Sequence, residues 1–167
     1  MDLASRISVY QGSIKVTVIP FTDLQLAIYE HCDESYAITI MRRMMFRIAE
    51  EVAKRHGCLA LVTGESIGQV ASQTLESMNA INTVINMPVV RPVACFDKLE
   101  IIDIAKKINT FETSIKPFED CCTVFLPDNP VVRPVLYKVL KEQQKIDFDE
   151  ILNRAMETIE VVEIKAE

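Results

Sequence analysis

Glycine is scarce in this chain: 167 residues hold four, at 12, 57, 64 and 68, and none is adjacent to another. No apolar run approaches the ~20 residues a membrane helix needs, which excludes a helical span within this sequence. The first residues, Met1-Asp2-Leu3-Ala4-Ser5-Arg6, lack the basic and then apolar build of a secretion signal. Five cysteines show no disulfide-like spacing, so reduced thiols in a cytoplasmic setting are expected. Internal repeats and low-complexity linkers are absent, and one domain is expected. The net charge of −6 does not advertise nucleic-acid binding, although a local basic patch can coexist with an acidic remainder.

What is present is ordinary for a folded protein: 49% hydrophobic and 25% charged residues, on a chain long enough to bury a core. Strand and helix signals alternate. Lys15 to Ile19 is a β-branched run closed by Pro20, and Thr22-Asp23 caps a short helix over Leu24 to Tyr29. Ile38, Met41, Met45, Ile48, Ala49 and Val52 recur at helical spacing within a long helix expected over Ser35 to His56, stopped by Gly57. Cys58 to Val62 reads as a buried parallel strand, Gln69 to about Asn82 as a helix, and Pro88 to Pro92 as a short strand bracketed by prolines. Asp97 caps a helix over Lys98 to Ile108. Lys116 to Pro134, with four of the seven prolines, reads as a long loop, and a charged helical tail is expected from about Asp147 to the C-terminus, with Ile159 and Val162 on its apolar side. Leu3 to Tyr10 resembles the end of a helix more than the start of a domain.

The most informative stretch runs from Thr63 to Thr74, directly after the expected strand. Open α/β sheets place their ligands at the carboxyl ends of their strands. Gly64 and Gly68 give this loop backbone freedom, and Ser66, Gln69, Ser72, Gln73 and Thr74 supply polar groups. A polar turn with an ordinary helix cap accounts for the same pattern, and the residues alone leave both readings open.

Several segments, taken together in order and spacing, carry a resemblance. They are Glu34-Ser35-Tyr36, Ile40 to Ala49, Leu61 to Ser66, Gln69 to Leu75, Arg91-Pro92, Asp97-Lys98, and Glu119-Asp120-Cys121-Cys122-Thr123-Val124-Phe125. The combination closely resembles the catalytic domain of the tRNA 4-thiouridine synthetase (tRNA sulfurtransferase) family, an ATP pyrophosphatase of the PP-loop superfamily. The resemblance covers nearly the whole chain, 1–167, and implies a three-layer α/β fold with a mostly parallel sheet, helices on both faces, and an adenine nucleotide alpha hydrolase-like architecture. The family's Ser-Gly-Gly-x-Asp-Ser phosphate loop, its THUMP domain and the rhodanese domain of some members have no counterpart in this sequence. The resemblance therefore implies a domain truncated at its N-terminus and inactive by itself. The competing expectation is a non-catalytic remnant or dimerising scaffold of the same fold. Another PP-loop pyrophosphatase with a different acceptor is disfavoured by the Glu-Asp-Cys-Cys segment.

Family roles map onto individual residues. Nucleotide contacts fall on Arg42, Gly64 and Gln73. From the residues alone, Arg42 reads as a solvated helix charge beside Arg43 and Arg47, Gly64 as a turn glycine, and Gln73 as a surface helix residue. Lys98, at the unfavourable positive start of its helix, matches a family lysine, and Cys121 matches the cysteine of sulfur transfer. Glu119 and Asp120 would raise the Cys121 pKa, so its activation would have to come from Lys116, Arg133 or bound substrate. Two adjacent cysteines do not make a zinc site, and no metal ligands are assigned to the protein itself. The remaining cysteines (Cys32, Cys58 and Cys95) read as core or near-surface thiols, and His31 and His56 as helix-end residues. The resemblance further implies ATP with Mg2+, AMP as product, tRNA as substrate, a cysteine desulfurase as sulfur donor, a homodimer, no membrane association, and a link to the thiazole of thiamine.

Overall fold

The computed structural model describes residues 1–117, 127 and 129–166. In chain order they form α1 (Asp2–Ser8), β1 (Ser13–Val18), α2 (Thr22–His31), α3 (Glu34–Arg55), β2 (Leu61–Val62), a 3-10 turn (Ala71–Gln73), α4 (Leu75–Asn82), β3 (Val89–Val90), α5 (Lys98–Lys107), α6 (Phe111–Ser114), α7 (Leu136–Gln143), α8 (Phe148–Glu157) and β4 (Glu160–Lys165).

The 22-residue α3 is the axis of the fold, with α2, α4, α7, α8 and β2 all packed on it. It starts at Asp33, whose carboxylate accepts the Ser35 N–H at 2.9 Å. It ends in a Schellman turn: Gly57 N–H donates to Lys54 O and Cys58 N–H to Ala53 O, and the left-handed φ of +69° at Gly57 suits glycine alone among common choices. His56 is the C-cap and His31 closes α2, so both histidines stand at helix ends as expected.

The core gathers Leu24 and Ile28 of α2, Ala37, Ile40, Met41, Met44 and Ile48 of α3, and Val139, Phe148, Leu152 and Met156 from the C-terminal helices. Of the stripe expected on α3, Met41 and Ile48 are buried, but Met45, Ala49 and Val52 are only half-buried. They line an apolar groove of about 580 Å3 between the end of β1, α3 and β2, together with Ile19, Phe21 and Leu61. Arg43, the neighbour of Arg42 on α3, is 2% exposed.

β2 and β3 pair in parallel, Leu61 opposite Val89 and Val62 opposite Val90. Strand alternation sends Leu61 and Val89 inward onto Phe46, Ile81 and Ile85. It leaves Val62 and Val90 on the other face, 69% and 49% exposed.

Three expectations are corrected. The expected strand over residues 15–19 does not join this parallel pair: β1 forms a separate antiparallel ribbon with β4, Ser13 opposite Lys165 through Val18 opposite Glu160. The C-terminal tail is not one helix, because α8 ends at Glu157 and residues 160–165 are a strand. Val161, Val162 and Ile164 are β-branched and prefer a pleated surface, and the ribbon places Lys15 opposite Glu163 and Val16 opposite Val162. Finally, the segment read as a helix from Gln69 breaks at Thr74, an extended residue whose hydroxyl caps α4 by accepting the Ser77 N–H at 3.1 Å.

Candidate functional site at the carboxyl ends of the parallel pair

The loop leaving β2 turns at once into a buried polar cluster. Glu65 and Ser66 are each 3% exposed, although Gly64 before them and Ile67 after them are exposed. A glutamate is buried to this degree only when it is paired. Its Oε1 accepts Arg42 Nη2 from α3 in a close ion pair. Its Oε2 accepts Arg91 Nε from the residue after β3 at 2.8 Å and the Thr63 hydroxyl at 2.9 Å. Arg91 continues to Asn82 at the end of α4, donating from Nη2 to Oδ1 at 2.7 Å. Burial opposes ionisation of Glu65, but the Arg42 charge, together with hydrogen bonds from Arg42, Thr63 and Arg91, outweighs it and holds the carboxyl below the usual glutamate range. Two guanidiniums around one carboxylate leave the cluster with one net positive charge.

Ser66 forms the second half of the arrangement. Its hydroxyl donates to Phe96 O at 2.7 Å, and its backbone N–H donates to Gln73 Oε1 at 3.2 Å. Ile67 N–H donates to Ala94 O at 2.9 Å, and Gly68 N–H, at a φ of +81°, donates to Gln73 O at 2.8 Å. The loops after β2 and β3 are thereby stitched into one surface.

The residues singled out from the sequence take different places on it. Arg42 is in the cluster, with its guanidinium 5.6 Å from the centre of the Phe46 ring and its Nε buried without a hydrogen-bond partner among the described residues. Gln73 is half-buried and spends its carbonyl oxygen on Ser66, which leaves its amide NH2 for another acceptor. Gly64 is exposed, and a Cβ built there would meet nothing within 4 Å. Its surroundings are open space, and no left-handed backbone requires glycine at this point. Lys98 is the exposed first residue of α5, after a capping box in which Asp97 and Glu100 serve each other's backbone N–H groups. It stands two residues beyond Phe96, on the loop that Ser66 anchors, and makes no ion pair among the described residues. Cys121 and Cys122 lie outside the described residues.

Sequence reading missed Glu65 and Arg91 as members of one cluster. The signal that could have found Glu65 is its place: a carboxylate directly after a glycine at the end of a buried parallel strand.

A profile of the family described as "Thiamine biosynthesis protein (ThiI)" matches residues 1–148. The chain belongs to the ThiI family. Among curated relatives, a "Probable tRNA sulfurtransferase" of Halothermothrix orenii is 54% identical over 99% of this chain, and one of Lachnoclostridium phytofermentans 53% identical over 99%. The alignments cover 42% and 43% of those two proteins, so the chain spans less than half of their length. A solved structure described as "Crystal structure of a 4-thiouridine synthetase - RNA complex with bound ATP" superposes with a TM-score of 0.93 at 38% identity, covering 98% of this chain and 43% of that one. At that likeness the α/β PP-loop fold is established for this ThiI-family segment, with its short parallel pair as the visible part of the sheet.

Proposed function

We propose that this chain supplies part of the nucleotide site of an ATP-dependent tRNA sulfurtransferase that makes 4-thiouridine at position 8 of tRNA. The observation that carries the reading is the net positive Arg42–Glu65–Arg91 cluster at the carboxyl ends of two parallel strands, beside the open space over Gly64. That donor set fits an anionic ligand, since a guanidinium forms charge-assisted hydrogen bonds to phosphate oxygens. The relatives' names and the ATP and RNA in the similar solved structure support the same assignment.

In this reading Arg42 faces the nucleotide, Gly64 lets it approach the β2 loop, and the Gln73 amide donates to it. Lys98 holds a positive charge near the reacting phosphate, where charge develops during transfer. Bound ATP supplies the adenylyl group that activates the uridine carbonyl oxygen, with Mg2+ neutralising the pyrophosphate that leaves. Mg2+ is commonly held through substrate phosphates, and the nucleotide phosphates would carry the ion here. The outer sulfur of a persulfide, supplied by way of a cysteine desulfurase, would then bond to the activated uridine carbon as AMP leaves. The Cys121 thiolate would break the remaining S–S bond by exchange, forming a disulfide with the carrier cysteine and releasing the thiouridine. Pairing into a homodimer and the link to thiamine belong to the same proposal. So does the inactivity of this segment without the remainder of a full-length enzyme.

Calorimetric titration of AMP and ATP into the purified chain tests it, with Arg42→Ala as the control. Binding that weakens about tenfold or more in the variant is expected from the loss of one charge-assisted contact. A folded chain that binds neither nucleotide would favour the scaffold reading instead.

A further inference from the structure

We propose that Glu65 is a positioning residue that fixes the Arg42 guanidinium for a phosphate-bearing ligand. The inference rests on the nucleotide reading above and goes beyond it, because Glu65 would touch no ligand itself.

Among the described residues Glu65 is the link between the two arginines: one oxygen holds Arg42 from the middle of α3 and the other holds Arg91 from the end of β3. A carboxylate buried at the end of a strand costs free energy that an apolar residue of similar size would avoid. The stability of the fold is therefore a weak reason for it to be there, and the orientation of its partners a stronger one. An arginine side chain has large rotamer entropy, which must be given up before it can hold a ligand in one geometry. Here that cost is met in advance. The Phe46 ring lies 5.6 Å from the guanidinium carbon, and Glu65 takes one Nη2 hydrogen.

The side chain of Arg42 nonetheless remains 28% exposed, against 12% for Arg91. Of the two cations, Arg42 is the one held and still accessible. Arg91 is turned the other way, onto Asn82, and completes the neutralisation of Glu65. With both arginines present, Glu65 stays ionised and can keep its grip, while a net positive charge is left for the ligand.

The test compares Glu65→Gln, Glu65→Asp, Arg42→Ala and the Glu65→Gln/Arg42→Ala double variant in AMP and adenosine binding. Glu65→Gln keeps the size and loses the charge, and is expected to weaken AMP about tenfold while leaving adenosine within about twofold. Glu65→Asp is expected to recover part of the loss, and the double variant to bind AMP no worse than Arg42→Ala. Equal losses for AMP and adenosine, or additive losses in the double variant, would overturn the positioning role and leave Glu65 a purely structural residue. Wild-type chain that binds no nucleotide would count against the nucleotide reading alone. A second measurement then decides the inference: site-resolved modification by an arginine-selective reagent. Faster modification of Arg42 in Glu65→Gln, with Arg6 and Arg55 unchanged, supports the hold, and an unchanged Arg42 rate overturns it.

Discussion

Arg43 Nη1 stands 2.8 Å from Thr83 Oγ1, tying the middle of α3 to the end of α4. The same nitrogen donates to Ala80 O, and Nε donates to Gln143 Oε1 of α7 at 2.8 Å. A fully buried cation is thus held by neutral acceptors, with no carboxylate paired to it among the described residues. Burial, with Arg47 nearby, lowers its pKa, yet a guanidinium keeps its proton at any physiological pH. Three helices meet through one side chain. Arg43→Ala is expected to destabilise the fold by about 3 kcal/mol, read as a lower urea midpoint, because hydrogen bonds to a charged donor are lost and a cavity opens. A midpoint within experimental error of the wild type would show that α3, α4 and α7 hold together without it.

The acid limb of stability carries a second expectation. The folded Glu65 carboxyl lies below its ordinary value, so the unfolded chain takes up the proton first as the pH falls. Its contribution is therefore complete above the ordinary glutamate pKa and is lost as the pH falls through the folded value. Glu65→Gln is expected to flatten the decline in stability between about pH 6 and about pH 3, while lowering stability at neutral pH. Glu50, Glu142 and Asp33 are also held below their ordinary values, so some slope remains in the variant. Denaturant unfolding at several pH values measures it, and parallel curves for both proteins would contradict the assignment.

Cysteine reactivity separates the described thiols. Cys58 and Cys95 are exposed, whereas Cys32 is half-buried with its Sγ 3.5 Å from Glu142 O. Burial and the Glu142 charge, partly opposed by Lys145, push the Cys32 thiol up to about 11. At about pH 8 only ~0.1% of it is thiolate, the form that reacts. Peptide mapping after iodoacetamide treatment is expected to show Cys32 modified roughly a hundredfold more slowly than an exposed thiol of ordinary pKa. Equal rates at Cys32 and Cys58 would refute the shift.

Much of this was legible in the sequence because it is local. Gly57 could end α3 wherever the helix pointed, since a left-handed cap needs only a residue without Cβ. Asp97 could cap α5 for the same kind of reason, and the chain's place in its family rested on residue types in order. Other features depend on what lies across the fold. Whether Val161, Val162 and Ile164 continue a helix or form β4 was decided by the free edge of β1, which offers them a ladder. Sequence could not tell Arg42 from Arg43. They sit about 100° apart on one helix, one at the open end of the parallel pair and the other sealed beneath α4 and α7. The sequence by itself determined the stop of α3 at Gly57 and the start of α5 at Asp97, because capping and backbone preference act within a few residues. Only the tertiary structure decided which charges are buried and which are presented, because pairing Glu65 with Arg42 and Arg91 joins positions separated by 23 and 26 residues.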